Sequence, residues 1–198
     1  MAKKYNNSLL SALNSVREGK DTPFVMGYTI SKELMRKASI ANSRAIPKEI
    51  EQDIVNALEV WKNIFNVLYS ANRKIKGSLQ FQYKNSHEDS NNLNISIKKS
   101  NSTLPVEVKG STIFLSSKFS WKAIKYSQGL DVFSHVVYGI GKIFGIPNSH
   151  NNNSMMSIAH LKNNYGPFYK LLLKDGRVSN PLDLLDGEVS KNILKLYG

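Results

Sequence analysis

Apolar residues recur at helical spacing between Ile50 and Leu68, through Ile54, Ala57, Leu58, Trp61, Ile64 and Phe65, which predicts an amphipathic helix with one stripe turned to a core. Pro47 suits its first turn, and Glu49 and Glu51 suit the positive end of its dipole. Residues 79–83, 93–97, 104–108 and 112–116 are short alternating or β-branched runs separated by Gly, Asn and Ser, the pattern of a small half-buried sheet. From Leu130 to Phe144 the pattern changes. Val132, Phe133, Val136, Val137, Ile140, Ile143 and Phe144 cover the surface nearly all round, which predicts a buried helix. Gly139 and Gly141 inside it lower helix propensity by roughly 1 kcal/mol each relative to alanine, so they are expected where another backbone packs closely. A last helix is expected at about 186–196. The sum is an α+β domain at 23–198, preceded by an extension at 1–22. That extension reads as a short amphipathic helix carrying Leu9, Leu10, Leu13 and Val16, with a linker from Gly19 to Pro23. It docks either on a neighbour or on its own domain.

Within this frame the stretch 138–156, YGIGKIFGIPNSHNNNSMM, has the spacing of a zinc-protease motif without its side chains. In His-Glu-x-x-His-x-x-Gly-x-x-His, two histidines one helical turn apart and a third beyond the glycine hold the ion, and the glutamate activates its water. With Gly145 at the motif glycine, Tyr138 and Lys142 stand at the helix ligands, Gly139 at the general base and Asn148 at the third ligand. Gly145-Ile146-Pro147-Asn148-Ser149 followed by Ser154-Met155-Met156 resembles the matrixin branch of the metzincin metalloproteases, with Met156 similar to the methionine of their Met-turn. Four further segments resemble the family in the same order. PFVMGYTI at 23–30, with a helix ending near Trp61, resembles the first strand and first helix; LNISI at 93–97 resembles the strand beside the substrate cleft. IFLSSKFSW at 113–121 is similar to the family's Ile-His-x-Asp-x-x-x-x-Trp segment, and Ile193 to Gly198 matches the Ile-x-x-Leu-Tyr-Gly with which matrixin catalytic domains finish.

The resemblance implies a metzincin/matrixin-like α+β fold: a small twisted mixed sheet, a first helix, a buried former active-site helix, a Met-turn and a C-terminal helix. Residues 161–185 would then be an insertion, a candidate partner-binding element or a plain surface loop. Tyr138, Gly139, Lys142, Gly145, Asn148 and Met156 would be relics of a site, with no catalytic role and no cofactor assigned. The ammonium of Lys142 falls close to where the family holds a dication and would repel Zn²⁺ by on the order of several kcal/mol. It either stands in for the metal by bridging to Tyr138 or Asn148, or snorkels from an apolar helix.

The chain holds 4 histidines as alternative ligands. His135, three residues before Tyr138, and His150, two beyond Asn148, define a relocated zinc site, although Val136 and Gly139 leave it without a neighbouring carboxylate. His87, beside Glu88 and Asp89, and His160, after the Met-turn, read as solvated or locally hydrogen-bonded. No nucleotide-binding loop or Gly-x-Ser-x-Gly element is present.

With 27 basic and 15 acidic residues the net charge is +12. Lysines are spread along the chain and aromatic residues do not alternate with them as on a stacking platform, so sequence-specific nucleic-acid readout is not expected. Non-specific proximity to nucleic acid and complementarity to an acidic protein remain open. There is no cysteine, hence no disulfide or thiolate metal site. No run approaches the roughly twenty apolar residues of a membrane span, and the segment around Lys3, Lys4, Asn6 and Asn7 lacks the apolar core of a secretory signal. An intracellular location in the producing cell is expected. The Asn-, Lys-, Ser- and Ile-rich composition points to a bacteriophage or other virion component. Three functions follow from these readings: an inactive metalloprotease-like subunit of a larger assembly, the preferred one; a residual zinc hydrolase on His135 and His150; and a basic nucleic-acid-binding module.

Overall fold

The computed structural model describes residues 24–41, 47–72, 78–85, 92–124, 129–163 and 180–197. The extension at 1–22, most of the expected insertion at 161–185, and His87 lie outside them. Strand β1 (Phe24–Ile30) leads into helix α1 (Lys32–Ala41), and α2 (Pro47–Asn72) follows. The expected stripe of α2 is buried along its length, from Ile50 to Leu68. Each such side chain contributes about 1.5–3 kcal/mol on burial, so packing holds this helix more than propensity does. The helix does not end near Trp61 as expected. It continues for three more turns to Asn72, because Ile64, Phe65 and Leu68 keep the stripe facing the core.

All the expected strands join one sheet. The strands are β2 (Leu79–Tyr83), β3 (Leu93–Lys98), β4 (Val106–Lys109) and β5 (Thr112–Ser116), in the order β2-β1-β3-β5-β4. Pairing is parallel except for β4, which runs antiparallel to β5 at the edge. Residues 93–97 lie inside the sheet: β3 is paired on both sides, with β1 and β5, and β2 and β4 are the two edges. The β4 ladder begins two residues later than expected. Pro105 has no N–H to give, although its carbonyl accepts from Ser116 N at 2.8 Å.

Next come the two-residue strands β6 (Trp121–Lys122) and β7 (Leu130–Asp131), then α3 (Val132–Ile143), the short helix α4 (Ile158–Asn163), a 3₁₀ turn (Pro181–Leu184) and α5 (Gly187–Tyr197). Asp131 caps α3, its Oδ1 accepting from Ser134 N at 2.6 Å. Gly145 ends that helix at φ 79°, where Gly145 N donates to Lys142 O and Ile146 N to Gly141 O. This left-handed stop needs a residue without Cβ strain, which explains the glycine at this point of the motif.

The helix is buried on nearly every side, as expected. Its glycines, however, meet side chains and not another backbone. A Cβ at position 139 would lie 2.8 Å from Ile113 Cδ1, and one at 141 would lie 2.3 Å from Met156 Sδ and 2.8 Å from Trp61 Cζ2. Trp61 Nε1 also donates to Val137 O at 2.8 Å, tying α2 to α3 in the core.

Candidate functional site

Helix α3 and the turn after it bring two of the singled-out residues into direct contact. Tyr138 is almost fully buried, and its Oη donates to Asn148 Oδ1 at 2.8 Å. Burial pushes the Tyr138 phenol above its usual range, against a smaller opposing effect of the Asn148 hydrogen bond, so it stays a protonated donor. Lys142, one turn further along the same helix, donates from Nζ to Ile146 O at 3.2 Å. Its ammonium thus helps cap the helix end, while Tyr138 and Asn148 bond each other directly.

The turn itself is tightly bonded. Ser149 N donates to Met156 O at 3.1 Å, Ser154 Oγ accepts from Met156 N at 3.2 Å, and Ser149 bridges to Ser157. Met156 is fully buried beneath Gly141. Helix α5 holds this region from outside: Ser149 Oγ donates to the Glu188 carboxylate, and Tyr197 Oη donates to Phe144 O at 2.5 Å.

These residues do not fit a zinc site. A zinc ligand must present a free lone pair, preferably on imidazole, thiolate or carboxylate. Here the phenol keeps its proton and donates its hydrogen bond to the amide oxygen, while the second helix position carries an ammonium. At position 139, where the motif spacing would set a general base, Ile113 fills the space a side chain would enter. Among the described residues, no group of three or more His, Cys, Asp or Glu side chains is arranged to hold a metal.

Of the alternative pair, His135 is engaged with the main chain. His135 is buried, with Nδ1 2.7 Å from Asp131 O and Nε2 3.1 Å from Leu161 O, so both ring nitrogens face main-chain carbonyls and neither is left for a metal. Its ring also packs edge-on against Trp121, with centroids 4.9 Å apart. Burial lowers the His135 pKa, with nearby Asp131 opposing the shift. His150 is exposed on the turn, and the side chain of His160 lies outside the described residues.

A buried polar cluster beside the start of α3 escaped the sequence reading. Lys122 is 2% exposed, and its Cα is in register with that of Asp131 across the β6–β7 pair. Desolvation lowers the Lys122 pKa, and the charges of Asp131 and Asp53 resist this. Asp53 of α2 is itself buried, and its Oδ2 accepts from Ile124 N at 2.7 Å. Two signals were available: an acidic residue inside the stripe of α2, and Asp131 immediately before an apolar helix. Nothing in the pattern marked Lys122.

No helix among the described residues is long and apolar enough to cross a membrane. No curated protein matches the sequence. The family model of the matrixins, a peptidase family, matches residues 30–175, a span that runs from the end of β1 through α3, the Met156 turn and α4. With most of its length covered by that match, and with a mixed sheet and helices to go with it, the chain belongs to the matrixin family.

Proposed function

We propose that this matrixin is catalytically inactive and that its fold serves as a structural or interaction subunit of a larger assembly. One observation carries the reading: the side chains at the first and third ligand positions, Tyr138 and Asn148, satisfy each other in a direct 2.8 Å hydrogen bond. A hydrolytic zinc site needs three protein ligands and an open position for water, and this arrangement supplies neither.

What such a subunit offers a partner is a rigid sheet with an edge. Among the described residues β4 pairs only with β5, and an edge strand can accept an extended segment by strand addition. A net charge of +12 favours a partner with an acidic face. The Asn-, Lys-, Ser- and Ile-rich, cysteine-free composition supports a bacteriophage or other virion particle as the assembly, assembled from protein made inside the producing cell.

Elemental analysis of protein purified without chelator, run beside its mass in solution, tests the proposal. Zinc far below stoichiometric, with self-association or defined co-purifying subunits, is the expected result. Stoichiometric zinc that disappears on replacing His135 or His150 would overturn it and restore a hydrolase.

A further inference from the structure

We infer that Ile113 closes this site at the general-base position, so that the backbone still offers the ligand positions while the volume for a base has been taken by the sheet. The inference rests on reading Gly139 as that position.

The contact is specific. A Cβ on Gly139 would lie 2.8 Å from Ile113 Cδ1, 2.8 Å from Cγ2 and 2.9 Å from Cγ1, closer than real Cβ atoms approach. Neither partner can give way. Ile113 is fully buried on β5, which is paired on one side with β3 and on the other with β4, and isoleucine is stiff about χ1. On the other side α3 is fastened by the Trp61 bond to Val137 O and by the cap at Asp131. The ligand positions are different. The tips of residues 138 and 148 already meet, and residue 142 lies one helical turn from 138 on the same face.

Two measurements test this. The first is a double-mutant cycle on thermal unfolding, with Gly139→Ala made in the natural chain and in Ile113→Ala. The substitution is expected to lower the midpoint in the natural chain, despite alanine's better helix propensity, and to raise it or leave it unchanged where Ile113 has been cut back. Should Ile113→Ala not fold, Ile113→Val serves as the second background, and there the drop must be smaller. Equal drops in both backgrounds would overturn the steric assignment.

The second measurement is the zinc content of Tyr138→His/Lys142→His/Asn148→His, with bound cobalt(II) read by its absorption spectrum. Stoichiometric metal is expected, and a folded variant that takes up none would overturn the claim that the ligand positions still converge. Should the triple variant not fold, Tyr138→His/Asn148→His is read in the same way. Zinc in the natural protein would sink the proposed inactivity, yet the Gly139–Ile113 cycle would still be decided by its own sign.

Discussion

Tyr138 and His135 sit one turn apart on α3, and both are buried polar groups whose partners decide their state. The phenol has one hydrogen bond to donate and Asn148 Oδ1 accepts it, so burial costs little there. His135 is less well served, because two carbonyls face its ring and a neutral imidazole has one N–H to donate. Burial nevertheless holds it toward the neutral form, and the groups around it are the Asp131 carboxylate, the Trp121 ring and the Leu161 carbonyl. The folded-state pKa lies below the ordinary value of about 6.5, so below that pH the unfolded chain binds the additional proton and stability falls with pH. Urea midpoints measured downward from neutral pH should therefore decline as acid is added. The decline should flatten in His135→Gln, and an unchanged slope in that variant would assign the loss to other groups.

Among the elements, the short β6–β7 pair carries more than its length implies, because it delivers Asp131 to the start of α3 and brings it into register with buried Lys122. Asp131→Ala removes a helix cap and strips a buried ammonium of a counter-charge, a combination worth on the order of 3–5 kcal/mol. Lys122→Met should cost less, since Asp131 and Asp53 keep their bonds to the Ser134 and Ile124 amides. Denaturant unfolding of the two variants checks the order, and a smaller loss for Asp131→Ala would contradict it. The long elements were legible in the sequence because their periodicity is imposed by a core. The stripe of α2, the all-round apolar α3 and four of the strands appear close to their expected limits. What periodicity does not encode is the neighbour. LNISI alternates in the same way at an edge or in the middle of a sheet, so its central place in β3 could not be read. Helix α1, KELMRKASIA, is short and more polar than α2, and was not foreseen as a separate element. The site positions were legible as a frame of Gly145 and Met156, but the filling of position 139 depends on Ile113, 26 residues earlier, and Lys122 looked like any surface lysine.

For the molecule as a whole, a net charge of +12 makes any acidic partner's affinity depend on salt. Complexes recovered at low ionic strength should thin out as salt is raised if charge alone holds them. An interface built on β4 should survive, because strand addition rests on main-chain hydrogen bonds and apolar pockets. Co-sedimentation across a salt series separates the two, and complete loss of the complex in moderate salt would argue against the edge strand. The last helix has a further consequence for how the protein comes to exist. Tyr197 closes the end of α3 by bonding Phe144 O, and the two residues are 53 positions apart. During synthesis the chain leaves the ribosome from its N-terminus, so sheet, α2 and α3 can all emerge before the tyrosine that fastens them. The end of α3 therefore gains this fastening only after Tyr197 has emerged, later than the sheet and α2 it packs with.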